Sequence, residues 1–428
     1  MSLRSPLKRL TPLLAPAFAA LLIAGAGPAA PAAQALEISA SAGPTAERAR
    51  MNQRVFDRVW SEVRRDYYDP QLHGVNWRAA RDVYRPLALA ATDDRGLYEV
   101  LGRMLDLLDD DHAGVLPPAG VERADRYATR AVMGVTIARE RDGATPIYRI
   151  EQVRRGSPAE AAGVQLGWRL DAINGRPWGA GVRVEEGRPV RLDLTDEAGL
   201  AHAVELTPAV MAAPPLFIAD RTRPGVLVLR IAAFEQGLGD WMGRELASTS
   251  PDTDVVLDLR GNPGGRLVEA DAVLSCFLPR HQEWATRTGR SGRAVVLRTF
   301  ADCGELETPA PNAVAVLVDR TSRSAAELTP AALQEARRAV VVGERTAGAV
   351  LISQDTPLPD GGRLTLSRAD FVTRGGVRLE KRGVAPDIEV ASTWADRREG
   401  RDPALALALG TLAAERAERA SSPAAPAF

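Results

Sequence analysis

The chain has 428 residues, 45% of them hydrophobic and 25% charged, so it is long enough for two or three domains and has an ordinary globular composition. Its formal net charge is −1, which gives no overall field to favour a nucleic acid or an anionic membrane, and we expect no nucleic-acid partner. Few side chains are available as a catalytic base: the lysines are Lys8 and Lys381, and the histidines are His73, His112, His202 and His281.

The first 35 residues have the pattern of a secretory signal peptide. Basic residues precede an apolar, alanine-rich stretch from 10 to 27, and Ala33-Gln34-Ala35 fits a small-x-small cleavage site. A membrane anchor is the alternative, but prolines interrupt the stretch and it is barely long enough to cross a bilayer. We therefore predict an exported protein, periplasmic or secreted, with no stable membrane span after cleavage and a polar linker over 36–46.

Residues 47–125 are predicted to form a helical N-terminal domain. Val55, Val59 and Val63 recur at helical spacing, and a second apolar series runs from Val100 to Leu108. The acidic segment Asp109-Asp110-Asp111-His112 follows. His112 is either a base held ready for chemistry or a histidine that interacts with a helix C-terminus.

A β-rich module is predicted over 128–212, because short β-like runs alternate there with turn residues. Ser157 is placed to cap a short helix that Pro158 begins and Gly163 ends, and Asn174-Gly175 is a hairpin-turn signal. This stretch resembles a PDZ domain of the bacterial protease type. The resemblance implies that the module binds polypeptide C-termini, with the carboxylate-binding loop at Met133-Gly134-Val135; a closed structural module without a ligand is the alternative.

From 215 to 395 β and α patterns alternate, which predicts an α/β core. Val314 to Val318 and similar strands are continuous apolar runs, as expected for a sheet covered on both faces. Residues 396–428 are predicted to form a C-terminal helix and a disordered tail. Cys276 and Cys303 either pair in an oxidising compartment or remain free thiols.

Two segments of this core carry groups suited to catalysis. The first, Asp258-Leu259-Arg260-Gly261-Asn262-Pro263-Gly264-Gly265, follows a buried strand, and its glycines and helix start present backbone amides that suit a developing oxyanion. A tight strand–helix turn is the structural alternative. The second segment contains Ser324-Ala325-Ala326-Glu327 after an apolar strand. Ser324 with Glu327 fits a capping box, and the same serine is displayed as a nucleophile would be.

Together with Gly343-Glu344-Arg345-Thr346-Ala347-Gly348 and Gly383-Val384-Ala385-Pro386-Asp387, these segments resemble the tail-specific, or C-terminal processing, serine proteases of family S41. The resemblance implies a serine endopeptidase acting on polypeptide tails without a metal or cofactor, and a core of the crotonase-like ββα spiral type. It assigns the nucleophile to Ser324 and the oxyanion hole to the amides of Ala325 and of Gly264 or Gly265.

One departure from the family pattern bears on mechanism. Ala349 stands where the lysine-dependent branch has its general base. The segment ending at His112 is similar to the tricorn-like branch, in which a histidine replaces that lysine, and Glu380 occupies the place of the glutamate that orients the site. We therefore predict a Ser324–His112–Glu380 arrangement. The alternatives are that Glu380 is a surface charge beside Lys381 and Arg382, and that the aspartates at 109–111 orient His112 or simply solvate a turn. The alternative is a catalytically inactive homologue that retains the PDZ-like module as a peptide-binding scaffold.

The predicted fold is thus α+β and multidomain, with a helical N-terminal domain, a PDZ-like β-module and an α/β protease core. The sequence leaves the oligomeric state and the physiological substrate open.

Overall fold

The computed structural model describes residues 43–125, 131–142, 145–178, 184–300 and 302–421. The predicted signal peptide, most of the linker and the last residues of the predicted tail lie outside these ranges. The helices of the described chain are α1 Ala46–Asp66, α2 Trp77–Ala90, α3 Asp94–Leu105, α4 Pro118–Asp125, α5 Pro158–Ala161, α6 Leu238–Ala247, α7 Leu267–Ser275, α8 Ala325–Glu335, α9 Trp394–Arg398 and α10 Pro403–Ser421. Single 3₁₀ turns occur at Leu72–Gly74 and Asp106–Leu108.

The strands follow in chain order. They are β1 Gly114–Leu116, β2 Ala131–Val132, β3 Val135–Asp142, β4 Thr145–Val153, β5 Arg169–Ile173, β6 Arg176–Pro177, β7 Val190–Thr195, β8 Ala201–Leu206, β9 Ala209–Val210, β10 Phe217–Asp220, β11 Val226–Ile231, β12 Asp254–Asp258, β13 Glu283–Gly289, β14 Ala294–Arg298, β15 Val314–Val318, β16 Val340–Gly343, β17 Ile352–Pro357, β18 Arg363–Thr373 and β19 Ile388–Glu389.

Helices α1 to α3 form the helical N-terminal region that the sequence predicts. Thr45, Asn76 and Asp93 cap the three helices by accepting hydrogen bonds from backbone amides of the first turns. Their buried faces pack with Leu364 and Leu366 of β18 and with Leu351 and Leu358, which flank β17, so this region shares a hydrophobic core with the sheet that contains these strands.

The predicted local signals of the β-module are confirmed. Strands β3, β4, β5, β7 and β8 form one antiparallel sheet, and the short pair β2–β9 joins the entry and exit of the module. Ser157 Oγ accepts the Glu160 amide at 3.2 Å, and helix α5 begins at Pro158. Asn174 and Gly175, at the turn between β5 and β6, have φ of 52° and 71°, the left-handed values that a tight hairpin requires.

The core contains a six-stranded sheet in the order β10-β11-β12-β15-β16-β19, parallel except at β10. Every residue of β12 and β15 is buried, because α6, α7 and α8 cover one face and α10 packs with residues of the other. Cys276, at the end of α7, forms a disulfide with Cys303, which settles the pairing that the sequence left open.

A second sheet joins the helical region to the core. Strand β18 pairs with β17 along one stretch and with β13 along another, and β13 pairs with β14. Strand β1, which the sequence pattern did not predict, pairs with the start of β18 through Gly114 opposite Thr365. Since His112 lies two residues before β1, this pairing brings the histidine to the core.

Candidate active site

Ser324 lies at the junction between β15 and α8, at the carboxyl edge of the parallel sheet. Its φ is 54° and its ψ −116°, a combination outside the regions that residues with a Cβ normally adopt. Such strain persists only where surrounding contacts hold it, and it clusters at functional sites. Its amide donates to the Ala349 carbonyl at 2.9 Å and to Glu327 Oε2 at 3.1 Å.

Glu327 holds the loop around the serine from within the core. Its carboxylate is fully buried and accepts four hydrogen bonds, from the Ser324 amide, the Thr346 hydroxyl at 2.5 Å, the Gly348 amide at 2.7 Å and the Ala349 amide at 2.8 Å. Burial raises the pKa of this carboxyl, and its four donors act in the opposite direction. The capping role predicted for Glu327 is thus part of a wider network that fixes Ser324 against residues 346–349.

The glycine-rich turn lies directly against the serine. A Cβ on Gly264 would stand 2.6 Å from the Ser324 Cβ, so this position requires glycine. The Gly264 amide donates to Asn262 Oδ1 at 2.7 Å. Of the amides predicted for an oxyanion hole, those of Gly265 and Ala325 have no hydrogen-bond acceptor among the described residues.

His112 lies at the end of a tight turn that follows α3. Asp109 in this turn has a φ of 47°, and the His112 amide donates to Asp110 Oδ1 at 2.8 Å. The imidazole is mostly buried, with 14% of its side chain exposed. Its Nε2 lies 3.6 Å from Glu380 Oε2, and this carboxylate is almost completely buried. The structure therefore brings together two of the predicted residues that are far apart in sequence.

Glu380 also contacts the loop that carries Ala349. Its Oε2 accepts the Val350 amide at 2.8 Å and the Leu351 amide at 3.3 Å. Burial by itself raises the pKa of Glu380, but the nearby His112 imidazole and these two amides outweigh burial and hold the pKa below its usual value. Glu380 is therefore a buried carboxylate that remains ionised beside a histidine.

A single peptide unit connects the two sides of the site. The amide of Val350 donates to Glu380, and the carbonyl of the same peptide, from Ala349, accepts the Ser324 amide. The carboxylate beside His112 and the backbone of Ser324 are thus attached to opposite ends of one rigid group. Ala349 itself is buried, with 4% of its surface exposed.

Lys381 joins the histidine turn to the glutamate segment at the surface. Its Nζ lies 3.0 Å from Asp111 and 3.8 Å from Asp109. Hydrogen bonding to Lys381 lowers the pKa of Asp111, and the charges of His112 and Arg323 lower it further. Lys381 is 41% exposed and Asp111 68% exposed, so solvent and salt screen this pair.

One contact at the start of the turn that leads to His112 was not identified from the sequence. His73 hydrogen-bonds through Nδ1 to the Leu108 carbonyl at 2.7 Å and through Nε2 to the Tyr68 hydroxyl at 2.8 Å. The carbonyl can only accept, so Nδ1 carries the proton and Nε2 accepts from Tyr68. No local pattern marks His73, because its partner is 35 residues away.

The predicted peptide-binding segment lies at the start of an edge strand of the β-module. The Met133 carbonyl accepts the Ala159 amide at 2.9 Å, and the Gly134 carbonyl accepts the Arg154 amide at 2.7 Å. Gly134 has a φ of 88° and packs against Ser157 so closely that a Cβ would overlap it. Val135 begins β3, which pairs only with β4 in the described sheet.

Two segments of the chain match known protein families. Residues 225–390, which contain Ser324, the glycine-rich turn and Glu380, match the model of peptidase family S41. The chain is a serine peptidase, and this segment is the part similar to that family. Residues 46–106, just ahead of His112, match the tricorn protease C1 domain. The peptidase therefore contains one segment similar to peptidase family S41 and an earlier helical segment similar to the tricorn protease C1 domain.

Individual relatives support the same assignment. The carboxyl-terminal-processing protease of Picosynechococcus sp. is 27% identical over 342 residues, covering 77% of this chain and 81% of the relative. The photosystem II D1 C-terminal processing protease superposes with a TM-score of 0.59 at 23% identity, covering 79% of the peptidase and 93% of that structure. The tricorn protease superposes with a TM-score of 0.52 at 17% identity, covering 86% of the peptidase and 37% of the larger chain. These structural likenesses establish the fold.

Proposed function

We propose that the peptidase is an endopeptidase of exported polypeptides that uses Ser324 as nucleophile, His112 as base and Glu380 as the group that orients the base. The observation that carries this proposal is the position of Glu380, whose buried carboxylate lies 3.6 Å from His112 and bonds to the peptide unit that also holds Ser324. A carboxylate, an imidazole and a serine are the groups of a serine-peptidase triad, and here the carboxylate lies beside the imidazole and is connected to the serine through one peptide.

Each step follows from the groups at hand. With Nε2 of His112 on the side of Glu380, Nδ1 is the nitrogen available to accept the Ser324 proton as Oγ attacks the carbonyl carbon of the scissile bond. The imidazolium then gives this proton to the leaving amine nitrogen as the C–N bond breaks, which leaves an ester on Ser324. A water molecule, deprotonated by His112, attacks the ester and releases the new carboxylate and the free serine.

The oxyanion of each tetrahedral intermediate would accept hydrogen bonds from the amides of Ala325 and Gly265. Both are without an acceptor among the described residues, whereas the Gly264 amide already bonds to Asn262. A donor of this type contributes roughly 3 kcal/mol to transition-state stabilisation in comparable sites.

A histidine mechanism accounts for the missing lysine. Ala349 is buried at the position of the lysine in the lysine-dependent branch, and Lys381 Nζ is engaged by Asp111 at 3.0 Å. The match of residues 46–106 to the tricorn C1 domain supports the branch in which a histidine is the base. We assign the core to the crotonase-like type on the same resemblance.

The β-module would act as a PDZ-like domain that binds polypeptide C-termini. Its edge strand β3 offers unpaired backbone groups for an added strand, and the turn at Met133 to Val135 precedes that edge. Binding of a labelled peptide with a free C-terminus, and loss of binding when the C-terminus is amidated, is the expected result. Equal binding of the two peptides would contradict this role.

Export to the periplasm or beyond is supported by the signal-like N-terminus and by the disulfide Cys276–Cys303, since disulfides persist in oxidising compartments. Within the described part of the chain, no helix combines the length and apolar character needed to cross a bilayer. Fractionation of the native host, with the protein found in the periplasm or medium, is the corresponding test; recovery from the cytosol alone would contradict export.

The decisive experiment compares Ser324→Ala and His112→Ala with the wild type in hydrolysis of an unfolded protein and in labelling by a fluorophosphonate. His281→Ala, at an exposed histidine, is the matched control. We expect both site variants to lose at least about 10⁴-fold in kcat and to resist labelling, while the control retains activity. Cleavage by Ser324→Ala equal to that of the wild type would refute the mechanism. A folded wild type that neither cleaves nor reacts would instead indicate a peptide-binding scaffold.

A further inference from the structure

We propose that an arginine-lined cleft next to the active site binds an acidic segment of the polypeptide substrate. This inference rests on the proposed peptidase function and specifies the substrates it favours. Two adjoining cavities of about 560 and 470 Å³ form the cleft and share Ser291, Gln354 and Arg368. We call this feature the arginine cleft and define it by Arg65, Arg287, Arg290, Arg293 and Arg368.

Three separate parts of the fold contribute these arginines. Arg65 lies in the last turn of α1, Arg290 and Arg293 lie at the tip of the β13–β14 hairpin, and Arg287 and Arg368 lie on β13 and β18. Residues distant in sequence thus direct guanidinium groups to one depression. Asp66 is the one carboxylate among the residues that line the two cavities.

The charges of the arginine cleft are only partly neutralised. Arg65 and Arg368 both pair with Glu62 and Asp66, at distances between 2.5 and 3.2 Å. Arg290 donates to backbone carbonyls of Tyr67 and Asp69.

Arg287 and Arg293 complete the set. Among the described residues, neither has a carboxylate partner within ion-pair distance, and the same holds for Arg290. Three guanidinium charges therefore remain available to a ligand, in a protein whose overall net charge is −1.

The chemistry of the arginine cleft favours an acidic peptide over a nucleic acid. Guanidinium groups form paired hydrogen bonds with carboxylates and with phosphates alike. Single-stranded nucleic acids, however, usually also need aromatic side chains on which bases stack, and none lines either cavity. The cleft instead adjoins β17, whose only strand partner in the described sheets is β18, so its other edge can pair with an extended peptide.

The lining of the arginine cleft begins a few residues along the chain from the candidate active site. Strand β17 begins at Ile352, which lines the cleft with Ser353, and Ala349 accepts the Ser324 amide. Four residues span at most about 14 Å even when fully extended, so the cleft lining begins within that distance of Ala349. An extended substrate with its scissile bond at Ser324 would reach the arginines with residues about four to six positions from that bond.

The first test measures binding without turnover. Fluorescence anisotropy of the Ser324→Ala protein would compare a labelled peptide containing four consecutive glutamates with the same peptide containing glutamines. We expect the glutamate peptide to bind more tightly than the glutamine peptide, and its affinity to fall with added salt. Each of the substitutions Arg287→Ala and Arg293→Ala should lower this affinity about two- to fivefold. The paired control is Arg78→Ala with Arg223→Ala, two exposed arginines elsewhere on the protein.

Two outcomes would overturn the proposal. One is equal binding of the glutamate and glutamine peptides, or an equal loss of affinity in the control variants. The other is a single-stranded oligonucleotide that displaces the glutamate peptide at lower concentration than unlabelled glutamate peptide does, since this would assign the cleft to nucleic acid.

A second measurement separates this proposal from the peptidase mechanism. With otherwise active protein, kcat/KM would be compared for quenched fluorogenic peptides whose glutamates lie about five residues to either side of the scissile bond. We expect kcat/KM to be higher when the glutamates lie on one particular side of the scissile bond. This increase should disappear in the Arg287→Ala/Arg293→Ala double variant, which should retain its kcat on the neutral peptide. If no peptide is cleaved, the proposed function fails while the anisotropy result still decides the cleft; equal kcat/KM for the acidic and neutral peptides would refute the assignment.

Discussion

The two sides of the candidate site are held by different kinds of contact. Ser324 is fixed from inside the core, where the buried carboxylate of Glu327 satisfies four donors at once. His112 comes from the helical region and is held by a short strand, a strained turn and the exposed pair between Lys381 and Asp111. Buried, satisfied networks are stiff, whereas exposed ion pairs are weak and screened. The histidine side is therefore the adjustable side, and the serine side is the fixed side.

Polar groups without partners reinforce this contrast. Among the described residues, Tyr67 Oη, Asp110 Oδ2 and His112 Nε2 are buried and have no hydrogen-bond partner. Burial, with the nearby charge of Asp110, raises the pKa of Tyr67, so the phenol stays protonated. Buried polar groups normally find partners. Three such groups therefore lie on the histidine side, close to the turn that carries His112.

Substitution of Glu380 by glutamine has the largest expected effect on activity, since it removes the charge that connects the histidine side of the site to the serine side. Glutamine still offers an oxygen to the amides of Val350 and Leu351, so the fold should persist. We expect kcat/KM to fall about 10³- to 10⁴-fold, as when the carboxylate of a serine-peptidase triad is neutralised. The measurement is steady-state kinetics beside thermal unfolding, with Glu389→Gln, at the exposed β19, as the control.

The stability of the same variant, compared with that of the wild type, should depend on pH in the acid range. The pKa of Glu380 is lowered in the folded protein, so its contribution to the free energy of unfolding is present above the ordinary glutamate pKa of about 4.3 and is lost as pH falls through the lowered value. The stability difference between wild type and Glu380→Gln should therefore shrink as pH falls below about 4. A difference independent of pH would show that the ionised form is not the one stabilised.

Glu327→Gln should have the next largest effect on activity, and it tests whether the serine side is the rigid one. The glutamine amide would turn a donor toward at least one of the groups that now donate to Glu327. A buried donor left unsatisfied costs about 1–3 kcal/mol, and we expect stability to fall by about 3 kcal/mol, with a fall in kcat/KM of about 100-fold as Ser324 loses its geometry.

Glu335→Gln is a matched control for that experiment. It lies at the other end of α8 and also accepts hydrogen bonds, from Thr373 and Gly375, but it is exposed. Its variant should retain activity. Equal losses of activity in the two variants would mean that helix stability, not the position of Ser324, is what Glu327 provides.

Lys381→Met should have the smallest effect and should reveal the adjustable side directly. The pair with Asp111 is exposed, so its loss should lower kcat/KM only about two- to fivefold. Added salt should reduce the activity of the wild type and leave that of the variant almost unchanged, because only the wild type has the pair to screen. Lys381→Arg should recover most of the activity. A loss that salt does not mimic would contradict an electrostatic role.

Much of the fold and part of the site could be predicted from the sequence. Continuous apolar runs predicted the buried strands of the core, and local capping signals predicted the starts of α5 and α8. Strand β1 was missed because three residues carry no period, and it exists only because β18 pairs with it. The role of His73 was missed for a related reason, since its acceptor at Leu108 is supplied by tertiary packing.

By itself the sequence determined the elements whose cause is local: apolar periodicity, caps, turn residues, and the catalytic residue types available, including the absence of lysine at position 349. Tertiary structure alone decided which groups meet. Three features depend on strand pairing between distant segments. They are the approach of His112 to Glu380 across 268 positions of the chain, the connection of Glu380 to Ser324 through one peptide, and the convergence of five arginines in one cleft. Long-range pairing is set by the total free energy of packing, which no short window of residues encodes.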